Sequence, residues 1–280
     1  EYSMLDGAAR VDELVKEVAN QGMPAIAITD HGNMFGAFDF YKKAKQNGVK
    51  PIIGIEAYVA PESRFDKRRV KWAEGGEDDV SGGGAYTHMT IWAENNVGLG
   101  NLFRLSSLAS LEGYYYKPRM DRELLSKYAS GLIGTSGCPG GEIQTKLRMG
   151  AITEAKLAAS ELRDIFGKDN FFIEIMDHGI EIENRVKTEL LKLAKDLSIP
   201  LLATNDLHYT KLEDAPAHEA LLCVQSGSNL ADPKRFKFEN SEFYLKSAAQ
   251  MRKLFEHIPE SCDNTLLIAE RCETSLREGE

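Results

Sequence analysis

The sequence predicts an α/β fold built from parallel βαβ units, closed as a barrel or spread as a doubly wound sheet. Three observations carry this: strand-like and helix-like segments alternate, six strands follow one another in this way, and no Gly-x-Gly-x-x-Gly or Walker loop follows any strand. The missing nucleotide loops weaken the doubly wound alternative. A length of 280 residues suffices for one large α/β domain, or for a barrel with an appendage.

Val11, Leu14, Val15 and Val18 fall at i, i+3, i+4 and i+7, and Gly22 follows, which is an amphipathic helix with its stop. The run Ala25-Ile26-Ala27-Ile28 then reads as a buried strand ending in Thr29-Asp30-His31-Gly32, with a helix next through MFGAFDFYKKAKQNG. KPIIGIEAYVA is a second strand. Residues 62–84 are too polar and Gly-rich to join a core, so 62–87 is expected to be a flexible insertion. Its Lys67, Arg68, Arg69, Lys71 and Trp72 suit phosphates and a base, but Glu74, Glu77, Asp78 and Asp79 offset that attraction. THMTIWAEN forms the third strand, before a helix at 97–111. GLIGTSGC is the fourth, NFFIEIMDH the fifth after a helix at 153–166, and IPLLATNDLHY the sixth after a helix at 181–197. Residues 212–280 carry helices without strands, and Met251, Leu254 and Phe255 suggest docking onto the barrel or a next domain. The expected division is therefore a barrel at 1–211 and a helical extension at 212–280.

Composition narrows the function. The chain is 42% hydrophobic and 28% charged, has no run near the ~18 apolar residues of a membrane helix, and lacks a secretory leader pattern. It begins at Glu1 and ends in SLREGE, so it reads as a piece of a longer polypeptide with no membrane partner. Cys138, Cys223, Cys262 and Cys272 show no CxxC spacing, which suits a reducing cytoplasm. A net charge of −9 argues against a free-standing binder of duplex backbone, though not against a site whose carboxylates hold cations.

The polar residues at strand ends form a pattern. His31 ends the first strand, Glu56 lies late in the second, His88 begins the third, and Cys138 ends the fourth. Asp206 and His208, at i and i+2 of the last, are expected to converge on one face, and Asp6 before the first helix lies on the same side. Imidazole, thiolate and carboxylate together are what a multinuclear Zn²⁺ site requires, or Mn²⁺ where oxygen dominates. Cys138 taken alone is more often a small buried hydrophobe. Asp30 should face away from His31 and hydrogen-bond. Glu174 sits where it could orient a ligand from outside, and His178 where it could contact substrate or orient a ligand. His218 and His257 read as solvated or structural. Tyr115, Lys117 and Arg119 in GYYYKPRMD could stack on and grip a frayed strand end, or pack against a neighbouring domain.

EYSMLDGA, ITDHGNMFGAFDFYKKAK, KPIIGIEAYVA, NLFRLSSLASLEGYYYKPRMD, GTSGCPGGE and ATNDLHY, in that order, resemble the polymerase and histidinol phosphatase (PHP) domain of bacterial replicative DNA polymerase III alpha subunits. The resemblance covers essentially the whole chain. It implies a distorted (β/α)7 TIM-like barrel and a centre of up to three metal ions. Seven of nine family ligands map onto Asp6, His31, Glu56, His88, Cys138, Asp206 and His208. The other two, a His-x-His pair on a first strand, would lie just before Glu1, so that strand is truncated here. By resemblance Asp6, His31 and His208 share one ion, Asp206 and Glu56 join the absent histidines on another, and His88 and Cys138 complete the third with Glu56. The implied activity is metal-dependent 3′ to 5′ exonuclease editing of primer-template DNA, with Glu56, Asp206 and His208 carrying catalysis. Polymerase domains of the same polypeptide, a sliding clamp and other replisome subunits are the implied partners. Two other readings remain: a catalytically silent, metal-stabilised scaffold, and a free small-molecule phosphoesterase, which the long polymerase-like motifs weaken.

Overall fold

Val11, Leu14, Val15 and Val18 are all buried, so the amphipathic stripe forms as α1 (Val11–Asn20) and packs inward. In this computed structural model, which describes residues 2–71, 80 and 82–277, the chain continues through β1 (Ala25–Ile28), α2 (Ala37–Gln46) and β2 (Lys50–Val59). Next come β3 (Thr87–Ala93), α3 (Asn96–Leu111), the two-residue β4 (Arg119–Met120), α4 (Arg122–Tyr128) and β5 (Leu132–Thr135). They are followed by α5 (Glu142–Arg148), α6 (Ile152–Phe166), β6 (Phe171–Ile175), α7 (Glu181–Leu197) and β7 (Leu201–Ala203). The chain closes with α8 (Ala215–Ser226), α9 (Ala248–Leu254) and α10 (Pro259–Arg271). The short β4, α4 and α5 were not expected, because each is too brief to show a period. α4 is set by its cap instead: the Asp121 carboxylate accepts from the Leu124 backbone N–H.

The strands form a distorted α/β barrel in the order β1-β2-β3-β5-β6-β7, with β4 added beside β2. The expectation of uniformly parallel strands fails at β3, which runs antiparallel to both β2 and β5. A parallel neighbour requires a crossover to the opposite end of the sheet, usually through a helix. The described residues between β2 and β3 contain only a three-residue helical turn, Gly82–Gly84, so the chain re-enters the sheet where β2 left it. β3 therefore begins at the end where the other strands finish. Among the described residues β7 and β1 do not pair, and the barrel is open along that seam. Among the described residues no helix is long and apolar enough to cross a membrane.

Inside the barrel, Ile52, Trp92, Ile133, Phe172 and Leu202 cluster with Ile268, Ala269 and Cys272 of α10. Gly54 makes room for this layer, since a Cβ there would lie 2.5 Å from the Trp92 ring. α10 lies across the end where the strands begin. Asn264 donates to the Leu201 carbonyl at 2.8 Å, Lys50 to the Glu270 carbonyl at 3.3 Å, and Arg271 to Asp169 at 2.7 Å and to Glu94 at 2.8 Å. The extension thus docks on the barrel, with Phe255 and Cys262 in the main core and Met251 and Leu254 against it.

The start of the insertion corrects a second expectation. Arg64 is only 6% exposed, with Nε on Glu112 at 2.7 Å and Nη1 on Asp121 and Glu123, so three carboxylates let a polar segment join the body. Trp72, Glu74, Glu77, Asp78 and Asp79 lie outside the described residues. Arg119, a candidate for gripping a strand end, is 0% exposed. It donates to the carbonyls of Gly113, Ala85, Arg64 and Asp66, and its guanidinium lies 5.0 Å over the Tyr115 ring. Arg119 is therefore an internal brace, closed to any ligand, and it pins Tyr115 as well.

Two substitutions test this packing by urea denaturation. Ile268→Ala should lower stability by about 3 kcal/mol through lost burial and a residual cavity. Arg119→Ala should cost at least about 3 kcal/mol, because four carbonyls lose their donor.

Candidate metal centre

The strand ends deliver the site. His31, three residues past β1, bridges to Glu56, with Gly32 N–H donating to the Glu56 carbonyl at 2.9 Å and Glu56 N–H to the Asp30 carbonyl at 3.1 Å. Gly32 has φ +66°, and a Cβ there would fall 2.8 Å from the Tyr58 ring, so only glycine turns the chain beside His31. Asp30 accepts from Ser3 Oγ at 2.7 Å, the hydrogen-bonding part expected of it. His88 stands opposite Tyr58 on the reversed β3, which is how a residue near the start of its strand reaches the same place. Cys138 comes from the loop after β5, and Asp206 and His208 from the loop after β7. Asp6 lies in the N-terminal segment, which is tied down where Ala8 and Ala9 N–H donate to the His208 carbonyl.

The side chains converge around Glu56. Its Oε2 lies 3.2 Å from His31 Nδ1 and its Oε1 2.7 Å from His88 Nδ1, with Cys138 Sγ 3.6 Å from Oε1 and 3.5 Å from His88 Nδ1. His31 Nε2 reaches Asp6 Oδ1 at 3.1 Å, and His208 Nε2 lies 3.9 Å from Asp6 Oδ2. Two sets have ligand atoms all within 4.8 Å of one another: Asp6, His31 and His208, and His31, Glu56 and His88. Asp206 approaches differently from the expected strand alternation. β7 ends at Ala203 and Asp206 has φ +42°, a left-handed conformation costing about 1 kcal/mol, so a turn brings it to His208. The Asp206 carbonyl sits 2.7 Å from His208 Nδ1 and its Oδ1 3.8 Å from the same atom.

These residues fit a cation. Asp6 Oδ1 and His31 Nδ1 are buried without any hydrogen bond, although each has a charged neighbour within ion-pair range. Such atoms are costly unless a further partner takes them. A cavity of about 430 Å³ opens onto Asp6, His31, Glu56, Asp206 and His208, and borders the seam between β1 and β7.

Electrostatics follow from crowding charge in a small space. Burial alone would raise the Asp6 carboxyl, yet the neighbouring His208 and His31 hold it well below the usual range. Burial would lower His31, but Glu56, Asp6 and Asp206 lift it to about 10. His208 rises to about 9 for similar reasons, chiefly through Asp206 and Asp6. Glu56 is held low by His31 and His88 against its burial, while burial keeps the Asp206 carboxyl high. Burial also pushes the Cys138 thiol well up.

Around this cluster, Glu174 lies buried on β6, accepting from Thr135 Oγ1 at 2.5 Å and Thr204 Oγ1 at 2.6 Å, and burial raises its carboxyl to about 7. His178 is buried between Glu183 (Nδ1, 2.6 Å) and the Asn205 carbonyl (Nε2, 2.8 Å), so it holds the turn that carries Asp206 and is closed to substrate. His218, read from the sequence as solvated or structural, is buried and structural, and it supports the centre. From α8 its Nε2–H donates to the Asp6 carbonyl at 2.8 Å, and its ring packs on His208 with centroids 5.7 Å apart. The two residues are 212 positions apart, so no local pattern links them. Tyr58 and Tyr86 were missed. Tyr58 stacks on His31 (6.1 Å, 22°) and Tyr86 on His88 (5.8 Å, 21°). Their signal was available, because each sits two residues along the chain from Glu56 or His88.

The shifts set a pH dependence for the metal-free protein. His31 and His208, with folded values of about 10 and 9 against an unfolded 6.5, contribute stability that is complete below 6.5 and lost as pH rises through 9 to 10. Asp6 contributes stability present above 3.8 and lost in acid. Thermal melts in EDTA should therefore fall from pH 7 towards 10. A divalent cation, which replaces protons on the histidines, should reduce that fall.

Comparison with known proteins gives the family. The PHP domain profile matches residues 1–178. DNA polymerase III subunit alpha of Saccharopolyspora erythraea is 57% identical over 284 residues, covering 98% of this chain and 24% of that protein. The Mycobacterium tuberculosis protein of the same name is 56% identical over 278 residues, with the same coverage. An amidohydrolase structure from Chromobacterium violaceum has a TM-score of 0.44 at 13% identity, covering 74% of this chain and 85% of its own. The chain thus spans about a quarter of the length of the curated relatives it matches. With the profile matched over more than half its length, this chain belongs to the PHP domain family.

Proposed function

We propose that this chain is the PHP portion of a DNA polymerase III alpha subunit acting in DNA replication. We further propose that its centre is a metal-dependent phosphodiesterase trimming the 3′ end of the nascent strand. The polymerase assignment is supported by 57% identity to an alpha subunit across nearly the whole chain. The hydrolytic assignment rests on one observation: imidazole, carboxylate and thiol groups from separate segments meet at one cavity, with Asp6 Oδ1 and His31 Nδ1 left without hydrogen bonds.

Asp6, His31 and His208 would hold one cation, and Glu56, His88 and Cys138 another, with Glu56 spanning both and Asp206 contributing beside His208. Zn²⁺ or Mn²⁺ suits these donors, and the bound ions would supply Lewis-acid polarisation of the phosphate and of water. The chain's own groups supply orientation. His208 Nδ1–H donates to the Asp206 carbonyl, which orients the ring so that Nε2, once a cation has displaced its proton, would offer its lone pair on the side of Asp6. The buried Tyr58 ring walls off the side of His31 away from the cavity and limits water there. Primer-template DNA, the remaining polymerase domains, and a sliding clamp with other replisome subunits are the partners this reading implies.

The test is trimming of a 5′-labelled mismatched primer by the full-length protein. Asp206→Asn and His31→Ala should each reduce trimming about a hundredfold or more while circular dichroism shows a folded chain. An intact protein that trims nothing with Mn²⁺, Zn²⁺ or Mg²⁺, but whose melting temperature falls on chelation, would instead establish the centre as a scaffold.

A further inference from the structure

Lys117 is the charged residue at the metal end that the site leaves unused. Its ammonium lies 5.5 Å from the Tyr58 ring, the same ring that stacks on His31 and lies 5.3 Å from His88. It is partly withdrawn from water, and burial lowers its affinity for a proton, with Asp6 the charge that opposes this. Among the described residues its ammonium has no hydrogen bond and no carboxylate in contact. More deeply buried cations are matched: Arg64 holds three carboxylates, and Lys246 holds Glu242. A half-buried ammonium without an anion is a cost that an incoming anion removes.

The residue before it supplies a second observation. Tyr116 has φ +60°, a left-handed conformation that disfavours a bulky side chain, and the Tyr115 N–H to Lys117 carbonyl bond at 3.0 Å closes the turn that imposes it. The result is a tyrosine ring 58% exposed beside the metal end, supported edge-on by Tyr115 at 4.6 Å. Arg69 places its guanidinium 4.8 Å over the same ring. The Tyr116 ring and Lys117 lie in one turn, and Arg69 reaches them from the segment at 62–71.

We propose that Tyr116, Lys117 and Arg69 form a seat for single-stranded nucleic acid beside the metal centre, with Tyr116 stacking on a base and the two cations holding the flanking phosphates. A base face and adjacent phosphates are what an unpaired strand offers, and this combination reads them without regard to sequence. Duplex is the poorer match, because its base faces are stacked inside it and a chain of net charge −9 lacks the broad basic surface that duplex backbone needs. The seat rests on the phosphodiesterase reading for why a strand comes to this end, while binding itself requires no cleavage.

The experiment is photo-crosslinking of a 5-bromodeoxyuridine-substituted single-stranded oligonucleotide to the full-length protein in EDTA, with peptide mapping by mass spectrometry. Crosslinks should map to residues 114–117. Their yield should fall about fivefold or more in Tyr116→Ala and Lys117→Glu, persist in Tyr116→Phe and Lys117→Arg, and decline with salt. Crosslinks found only elsewhere, or yields unchanged in Tyr116→Ala and Lys117→Glu, overturn the seat. Because EDTA removes catalysis, a crosslink without any metal-dependent trimming would overturn the phosphodiesterase reading and leave the seat standing.

Discussion

A single carboxylate organises the metal end of this protein. Glu56 places one oxygen against His31 and the other against His88 and Cys138, so three segments far apart in sequence are referred to one side chain. Its position is possible because β2 is the longest strand and is paired on both sides, with β1 parallel and β3 antiparallel. The reversal of β3 brings the start of that strand, rather than its end, to the site. Had β3 run parallel, His88 would lie at the opposite mouth of the barrel and Glu56 would face only one imidazole.

The same crowding explains the charge state of the cluster. Burial acts against the charged forms of Asp6, His31 and Glu56, and each is kept charged by neighbours of opposite sign, so these groups hold together as a set. A cation entering such a set displaces protons from imidazoles without having to order the ligands, since backbone bonds already hold them. Gly32, the strained Asp206 and the main-chain grip of His208 on Ala8 and Ala9 are the local means of that order.

Much of the architecture could be read from the chain because period and punctuation are local. The α1 stripe, the β-branched runs and the polar residues at their ends all lie within windows of a dozen residues. What escaped depends on distance or connection. The direction of β3 is set by what the chain does between strands, which alternation within a strand does not register. Asp206 and His208 were expected to meet through strand geometry and meet through a left-handed turn instead, a substitution that spacing alone cannot distinguish. Arg64 and Arg119 read as solvated or ligand-facing because charge suggests exposure, yet carboxylates and four carbonyls account for both. His218 reads as ordinary helix and is in fact a support for Asp6.

α10 carries a consequence for biosynthesis. Lys50 at the start of β2 meets Glu270 across 220 residues, and the layer of Ile52, Trp92 and Phe172 is covered only by side chains from 268 to 272. A ribosome adding about 5–20 residues per second needs roughly 11–44 s to make the intervening chain. Through that interval the lower barrel has no lid, and α8, with His218, emerges only late in it. The nascent chain therefore leaves this apolar layer exposed until α10 leaves the exit tunnel, and Asp6 waits for His208 and His218 through most of that interval. Completion of this half-barrel waits on α10 rather than on β1.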